Sequence, residues 1–227
     1  MTKRIAACAG TGVCVIVLLS GCTSNPSHAP ASTTTSIDFP YPPQRDILEI
    51  AVPLDPYLSE AAHLAMDADQ AAVMAVFGEP DLVRHYQSTI AKELWRASSI
   101  PPKPGLRTTG GDTYKVVRAT PSSAGQVEVD VCSYSVPGVY GIERSGREMT
   151  PNLSPNAYGL SRMTVEKTTR ESADGAKPTE PRWLVTNDWI KVGLDPDQTY
   201  RVCGPFKPDP WVQKMPDPTE SPTPATK

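Results

Sequence analysis

Five cysteines, three histidines and 25 acidic residues are the groups with chemical potential in this 227-residue chain. The histidines are His28, His63 and His85. None has a second histidine or cysteine four residues away, the spacing that sets two zinc ligands on one helix face, so no metal site is expected. His85 follows Asp81 by one helical turn, which allows an acid–base pair but fits a plain surface pair better. Asp67-Ala68-Asp69 begins like a calcium loop. Ala72 and Gly78 then occupy the places of its glycine and glutamate, so helix capping is the expected role. Glu128 and Asp130 alternate with Val127, Val129 and Val131. If the acids lined a pocket they could serve as general bases. The alternation instead directs the valines to a core and the acids to water. The chain has no G-x-S-x-G, no glycine-rich phosphate loop and no C-x-x-C. No catalytic residue, cofactor or metal is therefore expected.

The cysteines say more than the acids. Met1-Thr2-Lys3-Arg4 is a short basic start, and an apolar stretch runs from Ile5 to Leu19. It is too short and interrupted for a membrane span, which needs about 20 apolar residues. Charge, grease and small residues in that order form the secretory-signal pattern. Leu19-Ser20-Gly21-Cys22 resembles the bacterial lipobox, in which a peptidase cuts before a cysteine whose sulfur carries a diacylglycerol. The resemblance implies a signal over residues 1–21 and a lipid on Cys22. Acyl chains hold a protein to a bilayer at about 0.8 kcal/mol per buried methylene. The alternative is an ordinary signal peptide or an uncleaved anchor with an incidental cysteine.

Cleavage there removes Cys8 and Cys14, and also Lys3 and Arg4, moving the formal charge from −3 to −5. That mild acidity argues against nucleic acid as a partner. Cys132 and Cys203 remain. An even pair in an exported domain predicts a disulfide, with two free thiols as the alternative.

Residues 22–44 are rich in Ser, Thr, Pro and Ala and lack apolar periodicity, so they are read as a flexible tether. Residues 208–227 are Pro-rich and are read as extended or disordered, with Trp211 and Val212 pinning their start. The intervening 45–207 is read as one α+β domain. Its first third is dense in Ala, Leu, Glu and Gln. Helices are expected near Pro56–Met66, Ala68–Phe77 and Pro80–Ala97. In the last, Leu82, Tyr86, Ile90 and Leu94 recur every four residues. Two hairpins are expected after them. "TYKVVRA" and "GQVEVDVCSYSV" flank the turn "TPSSA", and "LSRMTVEKTTRES" pairs with "PRWLVTNDWIKV". Helices followed by antiparallel hairpins predict helices packed on one face of a curved antiparallel sheet. Tyr86, Ile90, Trp95, Val129, Met163 and Trp183 are the candidates for its core or for a pocket. Trp189 is a further aromatic of that kind, and core packing is the usual fate of such tryptophans.

The lipobox, the tether, the Ala-rich helices, "VEVDVCSY" and the late "RWLVTNDWIKV…YRVC" resemble exported lipoproteins of mycobacteria and related actinobacteria. Several of these resemble the cone fold of ketosteroid isomerase and nuclear transport factor two. That likeness implies a pocket between helices and sheet, and carries over no catalytic residue. The expectation is a lipid-anchored protein on the outer face of the cytoplasmic membrane. Its domain binds a ligand or an envelope protein without catalysis. One alternative is a cone-fold enzyme with a pocket acid or base. Another is a phage-type envelope protein that blocks infection, which small lipoproteins of this kind also resemble.

Overall fold

Helix α1 (Pro56–Ala75) is built on small residues. Asp55 caps it by accepting the Leu58 N–H at 2.8 Å, and Pro56 fills the first turn, where its missing N–H costs nothing. Ala61, Ala62, Ala65, Ala68 and Ala71 form a buried stripe with Met66 between them. So many methyl side chains let the backbone approach the sheet closely. The expected break at Asp67 does not occur. The alanine stripe continues across it, and no Gly or Pro interrupts residues 57–75.

Helix α2 (Pro80–Thr89) is shorter than the expected Pro80–Ala97. Ser88 and Thr89 turn their hydroxyls back onto the carbonyls of His85 and Tyr86, which competes with helix continuation. Ile90 is then extended and bridges Val185, and Ala91 donates its N–H to the Val185 carbonyl. A single 3-10 turn follows at Lys92–Leu94.

This computed structural model describes residues 39–76, 79–95, 107–123, 125–142, 158–187 and 196–219, with the backbone alone at 148–149 and 188–189. Residues 1–38, which hold the expected signal, Cys22 and most of the expected tether, the Trp189 side chain and residues 220–227 lie outside them. The sheet comprises β1 (Ile47–Ile50), β2 (Arg107–Ser123), β3 (Gln126–Ile142), β4 (Glu148–Met149), β5 (Tyr158–Thr168) and β6 (Arg182–Trp189). Their order is β1-β2-β3-β5-β6, with two-residue β4 paired to the end of β3. The class is α+β, and the helices α1 and α2 precede most strands. β1 runs parallel to β2, so the sheet is mixed rather than wholly antiparallel. Both expected hairpins form. The first turn does not span "TPSSA", because β2 runs through it to Ser123, which pairs with Gln126.

Both faces of the sheet are covered. Val127, Val129 and Val131 join Tyr114, Val116, Met163, Val165 and Val185 under the α1 alanines. The opposite face carries Val117, Cys132, Tyr134 and Leu160. A third helix, α3 (Pro196–Cys203), packs there and was not anticipated. Phe206 and Trp211 extend its cover. The Pro-rich segment after 208 is an extended chain over the described 208–219. Gln213 donates to the Ser135 carbonyl at 2.7 Å, and the Thr219 hydroxyl donates to the Pro40 carbonyl at 2.9 Å. Exposed Val212 does not pin it; Trp211, against Tyr134 and Tyr158, does.

Glycine is required where β2 meets β3 and the chain entering β1. Gly110 has φ of +80°, and a Cβ there would strike the Gly138 carbonyl. A Cβ on Gly111 would strike the Arg45 carbonyl.

Candidate functional site

The residues read as core or pocket come together. Ile90, Val129 and Met163 are buried in the α1-side core, and Tyr86, Trp95 and Trp183 pack against its rim. Tyr86 and Trp95 meet edge to face with centroids 6.1 Å apart. Trp183 donates its indole N–H to Glu60 at 2.9 Å and takes the ring of Tyr57 on its side. These contacts seat the start of β6 on the start of α1.

A polar cluster sits at the other end of the helix–sheet junction, and sequence reasoning missed it. Asp69 lies on the alanine stripe of α1, so its carboxyl is carried into the interior. It accepts the Ser161 hydroxyl of β5 at 2.7 Å. Burial pushes its pKa up to about 6, with the Ser161 bond opposing in part. Asp46, just before β1, accepts from Gln70 of α1 at 2.6 Å, from Gln44 at 3.0 Å and from the Asp112 N–H at 2.8 Å. Burial, then the Asp46 charge, push Asp112 to about 6, with Ser135 opposing. Burial, then Asp112, Asp69 and Asp46, push the Tyr114 phenol far above its ordinary range. Two atoms in this cluster, Asp112 Oδ1 and Gln44 Oε1, are buried without a hydrogen-bond partner. The available signal was the position of Asp69, three residues beyond buried Met66 and four beyond buried Ala65. The capping roles given to Asp67 and Asp69 are corrected, since both lie inside α1. Among the described residues no group of three or more His, Cys, Asp or Glu is arranged to hold a metal ion.

The acids of β3 also depart from expectation. Glu128 is 44% exposed, but the Asp130 side chain is only 2% exposed. It stands in register with Arg118 on β2 and Arg162 on β5 and bonds both. Two guanidiniums therefore enclose one carboxylate and shield it from water. The acids' face is half charged lattice and half apolar floor. His85 pairs with Asp67 at 2.9 Å instead of Asp81, which pairs with Arg84.

Below that lattice, Cys132 of β3 and Cys203 of α3 form the expected disulfide, with Cα atoms 5.7 Å apart. Both are fully buried. Cys132 points away from the valines, as the alternation requires, and α3 supplies the cover that makes its face an interior. Tyr134 donates its hydroxyl to the Cys203 carbonyl at 2.7 Å. Tyr134, Tyr158 and Trp211 pack tilted or edge to face around this staple, with centroids 5.8–6.4 Å apart. No described helix is long and apolar enough to cross a membrane. No protein-family model matches the sequence, and no characterised protein matches it closely enough to lend it a function.

Proposed function

We propose that this chain is an exported, lipid-anchored envelope protein whose domain acts by binding rather than by catalysis. The Cys132–Cys203 staple is the observation that carries this reading. Disulfides persist in oxidising compartments, and this one joins the last helix to the central strand of the fold. Cys22 is the anchor in this reading, and the residues between it and Phe39 hold the domain off the bilayer; Pro40, Pro42 and Gln44 already bond to the domain. The carboxylates fit a structural role: Asp46 ties the entering chain to α1 and β2, Asp69 ties α1 to β5, and Asp130 ties three strands. Replacing Cys22 with Ala tests the reading. The variant should leave the membrane fraction or accumulate as precursor, and full retention of a cleaved variant would refute the anchor.

One observation favours an acid–base enzyme as a second reading. Asp112 combines a pKa near 6 with a buried oxygen that has no partner. Such a group is suited to proton transfer near neutral pH. Asp112→Asn distinguishes the two, since it abolishes turnover in an enzyme and spares partner binding in a binding module.

A further inference from the structure

We propose that two copies of this chain pair through β1, antiparallel and centred on Ile47, to continue one sheet across a two-fold axis. Among the described residues β1 is the terminal strand of the sheet, and Ile47 and Leu48 are 52% and 46% exposed on it. Exposed apolar residues on an edge strand form a template for a further strand.

The backbone fixes which residues can bond outward. Arg45 and Ala51 direct their N–H groups to Gly110 and Val116 of β2. Residues of that parity therefore face β2, and Asp46, Leu48 and Ile50 turn their backbone groups to the outer edge. A two-fold centred on Ile47 makes Asp46 and the partner's Leu48 a hydrogen-bonded pair. It makes Ile47 and its own symmetry mate a non-hydrogen-bonded pair, the closer kind.

Charge selects this register. Arg45, Ile47 and Glu49 share the face that carries Lys115, whose ammonium lies 3.0 Å from Glu49. Centring on Ile47 sets each Arg45 opposite the other copy's Glu49, with the two isoleucines stacked between the ion pairs. A shift centred on Leu48 sets Ile47 against Glu49 and loses both ion pairs. An in-register parallel pairing sets Glu49 against Glu49. Opposite charges across a strand pair stabilise it, and like charges oppose it. Asp46 does not disturb the seam, because its carboxylate is held inward by Gln44, Gln70 and the Asp112 N–H. The charges that protect an edge strand from indiscriminate pairing thus admit one partner, a second copy. The proposal does not depend on the lipid anchor.

The test uses the full chain in detergent. Sedimentation should give a dimer for the parent. Arg45→Glu should weaken it about tenfold, through two new like-charge contacts; Glu49→Arg should weaken it at least as much, because it also sets a cation against Lys115, and combining the two exchanges with Lys115→Glu should restore it. Restoration also shows that neither single change had simply unfolded the domain. Ile47→Cys should form a covalent dimer beyond the parent's background, because a non-hydrogen-bonded pair has Cα atoms about 4.5 Å apart, within disulfide reach. Leu48→Cys should not. A monomeric parent, or cross-linking at Leu48→Cys that equals Ile47→Cys, overturns the proposal.

Discussion

Asp130 stands directly opposite Arg162 across β3 and β5, and the guanidinium grips its two oxygens at 2.7 and 3.0 Å. Arg118 closes the other side at 2.8 Å. Burial alone would raise the Asp130 pKa, but the bonds from Arg162 and Arg118 outweigh it and hold the carboxyl below its ordinary value. A lowered folded-state pKa stabilises the fold above the unfolded value and loses that contribution as pH falls through the folded one. Asp130→Ala should therefore destabilise by about 2 kcal/mol at pH 7. Fully buried pairs lose about 3–5, and these guanidiniums are partly in water. Urea midpoints for parent and variant should converge as pH falls below the ordinary 3.8.

Asp69 has the opposite sign. Its folded pKa, about 6, lies above the ordinary 3.8. The fold then carries the cost of a buried charge above pH 6, and sheds it as pH falls from 6 towards 4. Asp69→Asn keeps an acceptor for Ser161 and removes the charge. It should stabilise the protein at pH 7.5 by up to about 3 kcal/mol and give little at pH 4. An equal gain at both pH values would contradict the assignment.

The disulfide closes a loop between residues 71 positions apart. The chain-entropy model assigns about 4 kcal/mol to a loop of that size. Replacing both cysteines with Ala should lower the urea midpoint accordingly. It should also expose the 196–219 segment to proteases before the rest of the domain unfolds. A variant that keeps the parental midpoint would mean that packing around Tyr134 and Trp211 suffices.

Gly111 and Gly175 form an internal contrast. A Cβ at 111 meets the Arg45 carbonyl, which is backbone and cannot rotate away, whereas nothing lies within 4 Å of one at 175. Gly111→Ala should cost about 2 kcal/mol or more and speed amide exchange in Ile47–Ile50. Gly175→Ala, with φ of +87°, should cost only the left-handed penalty of about 1 kcal/mol.

Much of this architecture was legible from pattern. Alternating valines at 127, 129 and 131 gave the central strand and its buried face. Alanine density gave α1, Pro80 and the four-residue apolar recurrence gave the start of α2, and the cysteine count gave the pair that bonds. Three features had little or no local signal. β1 is four residues long and pairs with a strand more than 60 residues later, so no hairpin turn announces it. The end of α2 had only Ser88 and Thr89 as a local signal, and the extended course of Ile90 beyond it is set by Val185, a tertiary partner far downstream. The cover on the second face comes from α3 and a Pro-rich segment without periodicity, so Asp130 looked solvated until its two arginines were brought beside it. Asp69 was legible in principle, being in step with the buried alanines, but its flanking acids mimicked a helix cap.

The central claim is that the chain is exported, cut before Cys22, lipidated there and oxidised at Cys132–Cys203. An intact mass of the protein extracted from membranes tests all four points at once. The account predicts a chain beginning at Cys22, heavier by its acyl groups, that gains the mass of two hydrogens on reduction. A chain that retains Met1, or starts elsewhere without lipid, would contradict it.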